Sequence, residues 1–475
     1  MNKPNILFII IDSLRQDKCL GANKKSLTPN LDSLIKNGVF FRQAISPSPI
    51  TTPSLSSIFT GLYPYESTNL DNDIFTLKNN IPTFIETFEK SGYSTHAVIP
   101  EALNYTNIPE KFSNVEFFNS FATLYDGIGE KIVTKLNELS NEKPWLLYIH
   151  LEDLYGHALF HLSSDVNKID EYVGKNQYEK MLSAIDPWIG KILNVVDEDN
   201  TIIIFTSDHG STVADFTNEM SEFSLKNNKL KEADDTPVFK MSHKIITSLP
   251  KSFSPLRKKI ADTYIDNKKK RIQNKLESEL PHIEELNLTK YQKRLLKKSV
   301  VYPPSCHDEN FRPALIFSGF GIMKNKIIDT QVSTIDLFPT LIDIIKINFT
   351  EKIRGTSFLQ LFEEKFSKEK PVMIDSAPDS THSKYSNAIG IRTSKYKYFR
   401  DRNNPNHDVY LYNLVNDPYE LDNIYEEHPE ITTNFENELK QIDPTLNFTF
   451  KNTDKLTKDD TEKAKDILRE LGYMK

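Results

Sequence analysis

Short runs of aliphatic and β-branched residues recur along the chain at 6–11, 94–99, 145–150, 201–206 and 314–317. Between them lie stretches whose apolar residues return every three or four positions, at 29–38, 81–91 and 178–197. The short runs have the length and composition of buried strands, and the longer stretches have the period of amphipathic helices. Their alternation predicts an α/β protein with a mostly parallel central sheet flanked by helices. Ligands of such sheets gather at the carboxyl ends of the strands, which singles out the polar residues directly after the runs: Asp12, His150 and Asp208.

The rhythm breaks at residue 211 and resumes only near FRPALIFSGF. The intervening 211–299 is polar and lysine-rich and reads as a helical insertion over the mouth of the sheet. Its basic clusters at 257–259, 268–271 and 293–298 either face an anionic substrate or membrane headgroups, or line a solvated helical hairpin. After residue 354, alternating aromatic and charged residues and an Asn-Asp-Pro turn predict a few antiparallel strands, followed by a helix over 455–471. The expected organisation is a catalytic domain over 1–350 that carries the insertion, and a smaller α+β domain over 351–475.

A chain of 475 residues with 38% hydrophobic content can bury a large core. The formal net charge of −7 gives no reason to expect nucleic acid as a partner. Cys19 and Cys306 are far apart and form no CxxC pairing, so neither a disulfide framework nor a zinc ribbon is indicated, and a reducing compartment fits. The opening apolar run is too short for a signal-peptide core, and no run approaches the roughly 18 residues of a membrane span. The expectation is a cytoplasmic chain, with at most peripheral membrane contact.

Three segments carry chemistry. Asp12 ends the first strand and either ligates a cation or caps the next turn. In SPSPITTPSLSSIFTGLYP, residues 46–64, Thr51 or Thr52 begins a helix whose N–H groups and dipole suit an anionic oxygen, or serves as an ordinary cap. In TIIIFTSDHG, residues 201–210, a buried strand delivers Asp208 and His209 together, a carboxylate and imidazole pair suited to a divalent transition metal, although such pairs also occur in plain turns.

Taken in order, PNILFIIIDSLRQD, the loop through Thr51, AIDPWIGKIL, TIIIFTSDHG, FRPALIFSG and STIDLFPTLIDI resemble the sulfatase-like branch of the alkaline phosphatase superfamily over most of the chain. The resemblance implies that Asp12, Asp208 and His209 bind one divalent metal with the Thr51 oxygen as a further ligand. Manganese or zinc is favoured, and magnesium or calcium is acceptable. It implies that His157, in HLEDLYGHALF, lies near the leaving group, and His307, shortly before Arg312 and Pro313, aligns either on or off the position where the family often has a basic substrate contact. The chain also departs from the family. True sulfatases oxidise a cysteine or serine to formylglycine in a loop that ends in arginine, whereas here those positions hold Thr51 and Leu55, and oxidised threonine would be a ketone. The usual lysine motif is replaced by Pro100 and Glu101. An unmodified threonine is similar to the nucleophile of phosphoglycerol and phosphoethanolamine transferases. The expected activity is therefore hydrolysis or transfer of a phosphoryl-type ester, saccharide- or lipid-linked, through a covalent Thr51 intermediate. The alternatives are sulfuric ester hydrolysis without formylglycine and a non-catalytic module that binds an anionic polymer.

Overall fold

The computed structural model describes residues 3–71, 74–140, 144–154, 172–217, 219–221, 223, 280–301, 306–363, 369–376 and 388–447. His157, most of the 211–299 segment and the helix expected over 455–471 lie outside these residues. The chain forms two compact units, Met1–Asn218 with Pro304–Ile442 and Glu219–Pro303 with Asp443–Lys475.

The first unit is built on eight strands: β1 (Asn5–Ile11), β2 (Gly38–Phe41), β3 (Ser94–Pro100), β4 (Asn114–Phe118), β5 (Trp145–Leu151), β6 (Thr201–Thr206), β7 (Leu315–Gly319) and β8 (Lys326–Ile328). They lie in the order β8-β2-β7-β6-β1-β5-β3-β4. Pairing is parallel throughout except around β7, which runs antiparallel to both β2 and β6. The α/β architecture read from the sequence is thus present, with three short strands, β2, β4 and β8, in addition to the five apolar runs.

Every residue of β1 is buried, as expected of a strand covered on both faces. Alternate positions feed different cores. Ile6, Phe8 and Ile10 pack with helices Thr51–Thr60, Phe84–Lys90 and Leu337–Ile345. Leu7, Ile9 and Ile11 pack with Pro29–Lys36, Gly129–Leu139 and Gln177–Leu193. Each fully buried aliphatic or aromatic side chain contributes about 1.5–3 kcal/mol over its exposed state, so the central strand is fixed from two sides. Helix ends are tied locally. Thr83 and Glu86 form a capping box, and Asp186 accepts from the backbone N–H groups of Asn30 and Leu31 at 3.0 and 2.9 Å.

A second sheet in the same unit has four antiparallel strands, β9 (Val372–Asp375), β10 (Ala388–Arg392), β11 (Tyr396–Asp401) and β12 (Tyr410–Asn413), as its aromatic alternation predicts. Helix Pro429–Ile442 lies on it through stacking of Phe435 on Tyr398 and an Arg400–Glu436 ion pair at 2.9 Å.

In the second unit, helices Leu280–Glu285 and Lys290–Val301 bury Ile283, Leu295 and Leu296. Lys293 and Lys297 both pair with Glu284, so part of the basic cluster at 293–298 is engaged within this unit. Among the described residues, no helix is long and apolar enough to cross a membrane.

Candidate metal centre

Parallel register sets the site. Ile10 of β1 aligns with His150 of β5 and with Thr206 of β6, so three neighbouring strands end together. Asp12 follows β1 and donates its backbone N–H to Leu151 O at 2.8 Å. Asp208 and His209 follow β6. The ligating atoms of Asp12, Asp208 and His209 all lie within 4.8 Å of one another, and all three residues are buried.

The backbone around the cluster is shaped to hold it. Ser13 sits in the left-handed region at φ 66°, a conformation that costs a non-glycine residue roughly 1–3 kcal/mol. That turn aims the Ser13 N–H at Asp208 Oδ1, 3.3 Å away, and lets the Ser13 hydroxyl donate to Asp12 Oδ1 at 2.7 Å. Ser207 accepts from Leu14 N–H at 2.9 Å and donates to His209 O at 2.8 Å, which clamps the two strand ends together. Gly210 is required because a Cβ there would lie 2.3 Å from Glu309 O.

Thr51 is the first residue of helix Thr51–Thr60. Its hydroxyl donates to Asp12 Oδ2 at 3.2 Å and lies 3.4 Å from His209 Nε2. One turn on, Ser54 donates to Asp208 O at 2.6 Å and fixes the helix start against the strand end.

Electrostatically, the cluster has an excess of negative charge. Among the described residues, no lysine or arginine forms a recorded ion pair with Asp12 or Asp208. Arg15, three residues past Asp12, instead engages Asp17 and Asp215 at 2.8 and 2.6 Å. Burial and the adjacent Asp12 charge raise the Asp208 carboxyl above the ordinary range. Burial opposes ionisation of Asp12 as well, but His150 and His209 leave it below that range. Burial also pushes Glu152 up to about 7.

These residues fit a divalent cation. Asp208 Oδ2 is buried without a hydrogen-bond partner and lies 3.3 Å from His209 Nε2. His209 Nδ1 lies 2.8 Å from Gly210 O, and because a carbonyl only accepts, Nδ1 carries the ring proton. Nε2 is therefore the ring atom turned to the carboxylates, where its lone pair can meet a cation once the ring is neutral. The second ring nitrogen of a metal-bound histidine is commonly fixed in this way.

Of the expected site residues, Asp12, Thr51, Asp208 and His209 come together from three segments. The His307 ring lies 5.2 Å from that of Phe399 and 5.6 Å from that of Tyr412, with Nε2 3.5 Å from the Tyr412 hydroxyl. Sequence reading passed over Glu152, which joins Asp12 and His150 in a second close grouping. The available signal was its position directly after β5, two residues beyond His150.

The family model described as Sulfatase matches residues 4–267, more than half of the chain. The protein belongs to the sulfatase family. A second model, described as N-sulphoglucosamine sulphohydrolase, C-terminal, matches residues 294–444. Arylsulfatase K of Mus musculus is 24% identical to this sulfatase-family chain over 484 residues, covering 92% of it and 79% of the mouse protein. An ulvan-active sulfatase of Formosa agariphila is 24% identical over 261 residues, 44% of this chain and 50% of its own. Among solved structures, a Bacteroides fragilis sulfatase named yidJ superposes with a TM-score of 0.61 at 17% identity, covering 94% of this chain and 96% of its own. At that identity the likeness shows the fold.

These findings overturn the phosphoryl-transfer expectation. The family matched and the relatives named are sulfatases. The physical reason is that a hydroxyl beside a cation serves a tetrahedral sulfuryl group as well as a phosphoryl group, so Thr51 alone does not select the phosphorus ester.

Proposed function

We propose that this protein hydrolyses sulfate esters carried on saccharides, with a divalent cation held by Asp12, Asp208 and His209 and with Thr51 as the nucleophile. The reading is carried by one observation: the Thr51 hydroxyl lies 3.2 Å from Asp12 Oδ2 and 3.4 Å from His209 Nε2, at the start of a helix. A dication bound there lowers the pKa of a ligating hydroxyl and neutralises charge on the ester oxygens. The chain's own part is as follows. Asp12 Oδ2 accepts the hydroxyl hydrogen of Thr51 and orients its oxygen. As attack begins, the Thr51 proton passes to Asp12 Oδ2; the Oγ1–S bond forms and the bond from sulfur to the sugar oxygen breaks, that oxygen taking a proton for which His157 is the proposed donor. Water then attacks sulfur and gives a proton to His157, while the Asp12 proton returns to the threonine oxygen as the Oγ1–S bond breaks and sulfate leaves, because a threonine side chain offers no aldehyde route for release. We assign His307, whose ring packs beside Phe399 and Tyr412, the basic contact to the substrate oxyanion.

Two carboxylates, one imidazole and a hydroxyl favour manganese or zinc over magnesium or calcium. Both cysteines are free and buried, which supports a reducing, cytoplasmic setting.

The test uses paired aryl sulfate and aryl phosphate esters with metal-loaded protein. Sulfate turnover is expected, and Thr51→Ala should lower kcat by roughly three orders of magnitude while Thr51→Ser retains part of it. Mass spectrometry should find a sulfo adduct on the Thr51 peptide. Full activity of Thr51→Ala, or turnover of the phosphate alone, overturns the reading; binding of sulfated saccharide without turnover favours a non-catalytic module.

A further inference from the structure

Asp12 belongs to two close groupings. The ligating atoms of Asp12, His150 and Glu152 also lie within 4.8 Å of one another. Register explains the proximity, since Ile10 aligns with His150 and Ile11 with Leu151, so the residues that follow, Asp12 and Glu152, leave the sheet side by side.

The observation that points to a ligand is His150. Its side chain is fully buried. Nδ1 lies 3.0 Å from the Tyr148 hydroxyl, which fixes the ring. Nε2 has no hydrogen-bond partner and faces Asp12 Oδ2 at 3.8 Å, beyond hydrogen-bond reach. A buried nitrogen aimed at a carboxylate without bonding it marks a place where a further atom belongs.

We propose that Asp12 is shared between two cations, the first held with Asp208 and His209 and the second held with His150 and Glu152. The second site takes a divalent transition metal, as one nitrogen and two carboxylates imply. This deepens the metal-dependent reading above and rests on its first site, yet its test needs no substrate.

Full-length protein is stripped with a chelator, titrated with Mn²⁺ by calorimetry, desalted and analysed for metal by mass spectrometry. Electron paramagnetic resonance of the loaded protein reports exchange coupling between ions that share a carboxylate. Wild type is expected to hold two ions per chain with a coupled spectrum. Glu152→Gln and His150→Gln should each hold one and lose the coupling, and Asp12→Asn should lose both. One ion per wild-type chain at saturation, or two coupled ions in Glu152→Gln, overturns the proposal. Glu152 is only partly buried, so that variant decides the question should circular dichroism show that His150→Gln does not fold. Because no ester enters the experiment, stoichiometry and sulfate hydrolysis can fail independently.

Discussion

Two buried acidic clusters in the same compact unit differ in who supplies the positive charge. At the ends of β1 and β6, Asp12 and Asp208 lie beside histidines, and among the described residues no lysine or arginine pairs with them. Near the second sheet, Asp308 receives Arg392 Nε and Nη2 at 3.0 and 2.9 Å and pairs with Lys397, which reaches Glu420 at 2.9 Å. The second cluster is compensated by protein cations, whereas the first has a donor set that fits a metal cation. Burial of carboxylates is common to both and therefore says little about function; the source of the compensating charge separates structure from chemistry.

The strongest test of this contrast is Asp308→Ala, which strands two buried cations and should cost on the order of 3–5 kcal/mol in urea unfolding. A loss below about 1 kcal/mol would show that the second cluster is not held by its charges. Asp208→Asn should act in the opposite direction. In metal-free protein it removes an uncompensated charge and should stabilise the fold by about 1–3 kcal/mol, while calorimetry shows metal binding lost. A destabilised metal-free variant would break the comparison.

Stability against pH sharpens it further. The Arg392 and Lys397 charges outweigh burial and hold Asp308 well below its ordinary value of 3.8. Its contribution is therefore whole above that value and is lost as pH falls towards the folded pKa. Asp208 is raised above 3.8 by burial and by Asp12. In chelator its contribution is whole below that value and is lost as pH rises through the folded pKa. Guanidinium unfolding across pH should show Asp308→Asn flattening the acid limb and Asp208→Asn the upper one. The smallest effect belongs to the exposed pair of Arg42 and Asp329 at 3.1 Å, where Asp329→Asn should shift stability by no more than about 0.5 kcal/mol in the same assay.

Much of this was readable in the chain. The five strands with apolar runs announce themselves because buried parallel strands need continuous hydrophobic sequence. β2 is four residues long and begins at Gly38, which is there because a Cβ would lie 2.2 Å from Phe317 O, a contact that no local pattern reveals. β4 alternates only weakly and β8 has three residues, so neither has enough sequence to show a period. At the site, Asp12, Asp208 and His209 were legible because each stands within three residues of the end of a run. Glu152 was not, since its closeness to Asp12 comes from the register between β1 and β5. For His307, nearness in sequence to Arg312 and Pro313 suggested a substrate contact, but its packing against Phe399 and Tyr412 comes from the second sheet and leaves no local signal.

Leu55 limits how the site could be rebuilt. It is fully buried on helix Thr51–Thr60, within the core that also holds Phe8 and Phe84. Placing cysteine at position 51 changes one side chain at the helix start. Placing arginine at position 55 would drive a guanidinium into packed hydrocarbon, at a cost of several kcal/mol unless an acidic partner came with it. The apolar residue thus acts as a lock: the packed helix interior admits a change at position 51 far more readily than the arginine that a formylglycine loop carries.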